Sequence, residues 1–358
     1  MVHLWGERFA KEELLRCVGN MDQLACVRLS ELSEGPGRGM RVVDFRTGSG
    51  FNFTLLADRC LDISFAEYRG IPLCWRSATG DVAPQFFEPE GLGWLRTFFG
   101  GVLATCGLTY AGAPCEDQGE TLGLHGRIGH APARELALDA RWVDDDYLLE
   151  ARGRMKEAVV FGANLELFRT IHAKLGERRL YIHDIVTNLG HQRQPLMILY
   201  HFNIGWPIVS EDSELVLPST SVRPRDEEAE KGLEQWSRFS PPEEKFPEQC
   251  FYHELGTSPA GEVLAAIVNK KLQVGVYLRY RKTQLEFFTE WKMNERGHYV
   301  CGMEPANCEV EGRAKMRAEG KLQFINPGEE RHFDIEFGVL EGADEISEAR
   351  AEIVQMKV

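Results

Sequence analysis

Three stretches of this sequence put polar, ionisable side chains where ordinary packing asks for apolar ones, and each could carry a proton. In "LYHFNIGWP", residues 199 to 207, strand alternation puts Tyr200, Phe202, Ile204 and Trp206 on one face and His201, Asn203 and Gly205 on the other. Pro207 has no N–H and ends the ladder. The polar face reads as the floor of a pocket, or as a core histidine satisfied by its neighbour. In "GLHGRIGHAPA", residues 123 to 133, an extended backbone would point His125 and Arg127 one way and Leu124 and Ile128 the other. Three glycines there leave the backbone clear, and the alternative is a glycine-rich turn with a solvated arginine. In "YVCGMEPANCEVEGR", residues 299 to 313, Glu304 precedes Pro305, which favours extended backbone, and it closes an apolar run. Burial would make Glu304 a better proton acceptor near neutral pH, whereas Arg127 or Arg313 beside it would keep it ionised. A structural ion pair at a strand end is the other reading.

Two weaker signals accompany them. Asp58, Arg59 and Asp62 interrupt the apolar "LLADRCLDI", which a local charge-assisted pair explains. Trp291 and Lys292 in "TEWKMNERGHY" combine an apolar ring with a donor, suited to a sugar's two kinds of surface. A Trp partly in the core beside a solvated Lys explains them equally.

The elements that must position these residues are mostly strands. "AKEELLRCVG" predicts a short N-terminal helix with Leu14, Leu15 and Val18 on one side and a stop at Gly19. From Met40 onward, short β-branched and aromatic runs separated by Gly, Pro, Asn and Asp predict successive antiparallel strands. One hairpin turns at Gly176 and Glu177, and Glu262 to Lys292 reads as three strands turning near Lys270 and Lys282. No fixed-period repeat is present, so two packed sheets are favoured over a propeller or solenoid. Residues 221–250 are charged and proline-bearing, at most briefly helical around Glu227 to Lys231, and predict a long surface excursion of the kind that forms lids. The C-terminal stretch carries Ile346, Ala349 and Ile353 at helical spacing and predicts a docked terminal helix. No composition break divides the chain, so one domain over 1–358 is expected.

The chain of 358 residues is 43% hydrophobic, enough for a large core, and its formal net charge of -14 argues against nucleic acid or an anionic membrane as the main partner. No signal-peptide pattern and no run of about 18 apolar residues is visible, so a cytoplasmic location is expected. Nine cysteines without a C-x-x-C pair predict free thiols and neither a disulfide framework nor a zinc site. Oligomeric state is not legible.

Taken together, "LADRCLDI", "FFGGVLATCGLTYAG", "GLHGRIGHAPA", "LYHFNIGWP", "EWKMNERGHYVCGMEPAN" and "EGR" resemble, in order and over nearly the whole chain, a galactose-mutarotase-like branch of bacterial proteins described as aldose 1-epimerase-like or as a domain of unknown function. The resemblance implies an all-β antiparallel β-supersandwich that binds a sugar in a cleft on one sheet. It implies a mutarotase or epimerase that interconverts anomers, with Glu304 as base, His201 as acid and His125 as the second histidine, and no cofactor. Two departures matter. The better-known mutarotases carry H-x-Y-F-N, with histidine four residues before asparagine, whereas His201 lies two before Asn203; an even offset keeps both on one face. Their hydroxyl-gripping aspartate has no clear counterpart, and Asp58, Arg59, Arg127, Asn203, Trp291, Lys292 and Arg313 are the candidates for substrate binding. Arg59, Arg127 and Lys292 could clamp an anion, so acidic and phosphorylated sugars belong to the expected range. Two alternatives are a sugar-binding protein without turnover and a metal-dependent isomerase using His125, His201 and Glu304.

Overall fold

The alternation of apolar and polar residues resolves, in a computed structural model that describes residues 1–357, into two large antiparallel sheets packed face to face. The smaller has eight strands in the order Arg134–Val143, Asp146–Ala158, Asn164–Lys174, Arg179–Asn188, Glu330–Glu341, Val274–Arg281, Glu262–Asn269 and Ser213–Val216. The larger has eleven, running Ser219–Pro224, Gln249–Leu255, Phe287–Glu295, His298–Ala306, Met197–Gly205, Leu103–Leu108, Asp62–Tyr68, Phe51–Leu56, Arg41–Arg46 and Cys26–Glu31, with Ile71–Pro72 on Asp62–Tyr68. The main core lies between them and includes Ile171, Ile182 and Val186 from the smaller sheet and Phe202, Ile204 and Met303 from the larger. Burial of each such side chain is worth about 1.5–3 kcal/mol. A second apolar cluster covers part of the outer face of the larger sheet, and there the candidate residues gather.

The expected hairpin joins Asn164–Lys174 to Arg179–Asn188 through Gly176, whose φ of +85° suits glycine. The N-terminal helix spans Lys11–Cys17 and buries Leu14, whereas Leu15 faces solvent. Leu14 and Val18, four apart, share the buried stripe that Leu15 misses. The terminal helix Gly342–Gln355 lays Ile346, Ala349 and Ile353 on Leu264, Ala266 and Val268 of the smaller sheet. Of the three strands between Glu262 and Glu295, the first two stay in the smaller sheet and the third crosses to the larger. Trp206, expected on the apolar face, lies past the strand end and is exposed.

The excursion is shorter than its charge run suggests. Ser221–Pro224 and Gln249–Cys250 are strand residues, so the excursion is confined to residues 225–248, which rejoin the sheet briefly where Glu243 bridges Glu295. Their helix Glu227–Lys231 is capped by Asp226, whose side chain accepts from the N–H groups of Glu228 and Ala229.

Between the sheets sits a buried polar cluster centred on Arg169. Its guanidinium donates to both oxygens of Asp184 (2.9 and 2.7 Å), to Asp62 Oδ1 (2.9 Å) and to Thr105 Oγ1 (3.0 Å), while Tyr200 donates to Asp184 Oδ2 at 2.7 Å. Asp62 therefore pairs with an arginine from the opposite sheet and not with its neighbour Arg59. All nine cysteines are free thiols. Among the described residues no helix is long and apolar enough to cross a membrane.

Candidate active site

The larger sheet brings His201 and Glu304 together by register alone. Strands Met197–Gly205 and His298–Ala306 pair Phe202 with Met303 and Asn203 with Gly302, which sets His201 opposite Glu304 on the outer face. Nε2 of His201 stands 3.2 Å from Oε1 of Glu304, and both side chains are buried. On the other side of His201 the register places Ala104, too small to crowd the ring. Gly302 matters more: a Cβ there would lie 2.5 Å from Glu304 Oε1 and 3.3 Å from His201 Cε1. Glycine keeps the carboxylate and the imidazole in contact.

His125 arrives from a separate loop. Its backbone is left-handed (φ +57°) rather than extended, its N–H donates to Gly112 O at 2.9 Å and its carbonyl accepts from Gly107 N at 3.0 Å. The next residue, Gly126 (φ +83°), passes so near Gly107 that a Cβ would sit 2.3 Å from the Gly107 carbonyl oxygen. This fold-back sets the His125 ring 5.8 Å from the His201 ring and 4.8 Å from Trp94, centroid to centroid. Phe98 and Trp291 each lie 5.3 Å from His201. Together these groups line a hollow of about 340 Å³, at the lower end of small-molecule sites.

The excursion supplies the rest of the wall. Arg225 donates to Glu248 Oε1 at 2.9 Å and to Cys250 Sγ at 3.0 Å, and Trp291 Nε1 donates to Glu248 Oε2 at 3.1 Å. Arg225, Glu248 and Trp291 all line the hollow. Arg225 and Glu248 went unnoticed in the sequence because they lie in a stretch whose composition matches a solvated loop; the signal was the length of that loop.

Burial sets the charge states. His201 is pushed well below the ordinary histidine range by burial and then by His125. His125 is lowered by burial to about 4. Glu304 is raised well above the carboxylate range by burial and then by Glu248, opposed by Arg225. Nδ1 of both histidines is buried without a hydrogen-bond partner, and Oε1 of Glu304, although 3.2 Å from His201 Nε2, forms no hydrogen bond with it. Buried polar atoms left open on one hollow are groups available to a ligand. Donor and acceptor ability thus converge on one small volume, which suits acid–base chemistry on a polyhydroxylated molecule. Among the described residues no three His, Cys, Asp or Glu side chains take up a metal-holding arrangement.

Of the ten residues singled out in the sequence, the hollow is lined by Glu304, His201, His125 and Trp291. The other six have different surroundings. Arg59 is buried and donates to the carbonyls of Gly129, Val82 and Thr97. Asp58 pairs with Arg41, whose Nε lies 2.9 Å from Oδ1. Arg313 donates to Asp117 at 2.6 Å and Glu120 at 2.7 Å. Asn203 shares the face of His201 as expected, but its amide donates to the carbonyls of Gly100 and His201 and ties the strand to a loop. Lys292 cannot share a face with Trp291, because neighbours in a strand point oppositely; it is buried and donates to the carbonyls of Gln235 and Trp236. Arg127 lines a different groove with His130 and Lys156, because the His125 backbone turns back instead of extending.

The chain belongs to the family described as Domain of unknown function (DUF4432), whose model matches residues 37–339. Its fold is that of the galactose mutarotase-like proteins. It is similar to the crystal structure of a provisionally named aldose 1-epimerase from Klebsiella pneumoniae, with 25% identity and a TM-score of 0.89 over 95% of this chain and 91% of that one. It is also similar in fold to a galactose mutarotase-like protein from Clostridium acetobutylicum (12% identity, TM-score 0.61, covering 89% and 99%) and to galactose 1-epimerase from Lactobacillus acidophilus (12%, 0.57, covering 89% and 99%). A search of curated proteins finds no match.

Proposed function

We propose that this member of the family is a sugar mutarotase, an isomerase that interconverts the anomers of a free aldose by opening and reclosing its ring. The observation that carries this reading is the cross-strand contact of His201 Nε2 with Glu304 Oε1, 3.2 Å, at the floor of an aromatic-walled hollow. In the resting protein, burial favours the uncharged pair, protonated Glu304 beside neutral His201. Moving that one proton across the contact yields the carboxylate and the imidazolium that the reaction needs.

Glu304 then takes the proton from the anomeric hydroxyl, and the O1–H electrons form the C1=O1 bond. The C1–O5 bond breaks, its electrons pass to the ring oxygen, and His201 protonates that oxygen. Rotation about C1–C2 followed by the reverse steps closes the other anomer. Atoms and electrons balance without an external reductant or oxidant. His125, with its open Nδ1, holds a substrate hydroxyl, and Trp291 and Phe98 stack against the C–H face of the ring. Acid and base transfers of this kind are each worth roughly 10²- to 10⁴-fold.

The test is anomer exchange measured by NMR across a panel of free aldoses. Wild-type protein should accelerate exchange of at least one sugar, and Glu304→Gln should remove the acceleration while its thermal unfolding stays cooperative. Undiminished exchange in Glu304→Gln would take Glu304 out of the mechanism.

A further inference from the structure

A second groove, of about 480 Å³, gathers positive charge that no carboxylate balances. Arg127, Arg134 and Lys156 line it, with Glu157 as the one acidic side chain among its described lining residues. Among the described residues none of these three cations forms an ion pair, although the chain carries 55 acidic side chains against 41 Lys and Arg. The nearby acids are already engaged. Glu157 accepts from the N–H groups of Leu108 (2.6 Å) and Thr109 (3.1 Å) and from the Thr109 hydroxyl. Glu135 and Glu166 are held by Arg154 at 3.0 and 2.6 Å.

The backbone keeps the three cations together. Arg134 faces Arg154 across strands Arg134–Val143 and Asp146–Ala158, and Lys156, two residues beyond Arg154, leaves the same face as the diagonal neighbour of Arg134. Arg127 springs from the fixed turn after His125, its N–H donating to Gly107 O at 2.8 Å. Like charges gathered on one groove repel one another, and an anion with several oxygens relieves that repulsion through charge-assisted hydrogen bonds.

A group of another kind lines the same groove. His130 is 7% exposed and stacks on Phe87, a further lining residue, with ring centroids 3.7 Å apart. Thr97 Oγ1 donates to the Trp94 carbonyl at 3.2 Å, so His130 Nε2 is the donor in its 2.7 Å contact with Thr97, and Nδ1, buried without a partner, is left a bare acceptor. Burial and then Arg59 push His130 down to about 2, which keeps the ring neutral. Such an acceptor suits a hydroxyl.

We infer that this groove is a ligand site separate from the hollow and takes the phosphate monoester of a small hydroxylated molecule, with the phosphate on Arg127, Arg134 and Lys156 and a hydroxyl on His130 Nδ1. The groove has the volume of a small-molecule site, and a net charge of -14 disfavours the phosphates of a nucleic acid or a membrane. Neither His201 nor Glu304 takes part, so binding here does not depend on turnover at the hollow.

Calorimetric titration at low ionic strength with glycerol 3-phosphate, methyl phosphate and glycerol tests the site. Glycerol 3-phosphate, which has no ring to open, should bind, methyl phosphate should bind more weakly, and glycerol should not bind. Arg127→Gln with Lys156→Gln, both at exposed positions, should weaken glycerol 3-phosphate by about 10-fold or more, the worth of one hydrogen bond to a charged group. Arg225→Met, in the wall of the hollow, should leave that affinity unchanged. No binding, binding unmoved by the double substitution, binding lost with Arg225→Met, or methyl phosphate held as tightly would overturn the inference. So would capture by anionic phospholipid vesicles in place of the free ester.

Discussion

Arg225 and Glu248 meet at the wall of the hollow, 23 residues apart in sequence and 2.9 Å apart in space, and between them they lean on Glu304 in opposite directions. Glu248 raises the Glu304 proton affinity and Arg225 lowers it. Glu248→Gln should therefore move the acid limb of the pH–kcat/KM profile to lower pH, and Arg225→Met should move it to higher pH. The sign follows from charge: removing a negative neighbour makes the carboxylate easier to form. Limbs that stay put, or move together, would show that the excursion does not reach the base.

Gly302→Ala tests the floor by geometry alone. The added methyl falls 2.5 Å from Glu304 Oε1 and has to displace the carboxyl group from His201. Exchange should drop by about 10²-fold or more, the lower range of a lost acid–base contribution, with the larger change in kcat than in KM. Kinetics that match the wild type would mean the 3.2 Å contact is dispensable.

Arg169 is a structural counterpart with no place at the hollow. It is fully buried between two aspartates, so Arg169→Leu leaves Asp62 and Asp184 buried with their charges uncompensated. A loss of about 3–5 kcal/mol is expected in urea unfolding, and Asp184→Asn in the same background should recover part of it.

Acid stability should depend on Asp117. Hydrogen bonds from Arg317 and Arg313 hold its carboxyl below the ordinary aspartate value of 3.8. A depressed folded-state pKa stabilises above the unfolded value and is lost as pH falls through the folded one, so this contribution is full at neutral pH, begins to decline near about pH 4 and is gone only once pH has dropped through the lower folded value. Asp117→Asn should lower the melting temperature at pH 7 and bring it close to that of the wild type at the acid end. A constant gap at all pH values would assign the effect to packing.

The strands were legible because side-chain alternation is a local property, and it paired His201 with Asn203 and opposed both to Tyr200 and Phe202. It did not reveal which face meets what. Asn203 lies on the face of the hollow yet spends its amide on the Gly100 and His201 carbonyls. Lys292 and Trp291 are neighbours in sequence but point to opposite faces of the strand, so only Trp291 reaches the hollow. Asp62 was assigned a neighbour because its partner Arg169 is 107 residues away, a distance no local pattern spans. Of the two backbones open to residues 123–133, the structure adopts the glycine-rich turn and not the extended strand, with His125 left-handed and Arg127 exposed.

His201 and Glu304 lie on two interior strands, whereas Arg225 and Glu248 belong to a segment anchored at Pro224 and Gln249, next to an edge of the same sheet. The segment that walls the hollow therefore also bears on the proton affinity of Glu304, and its Gln235 and Trp236 carbonyls satisfy the buried Lys292. Exchanging 225–248 for another insert should alter admission, the titration of Glu304 and the packing of the sheet edge together, so a graft has to keep Arg225, Glu248 and the two carbonyls in place.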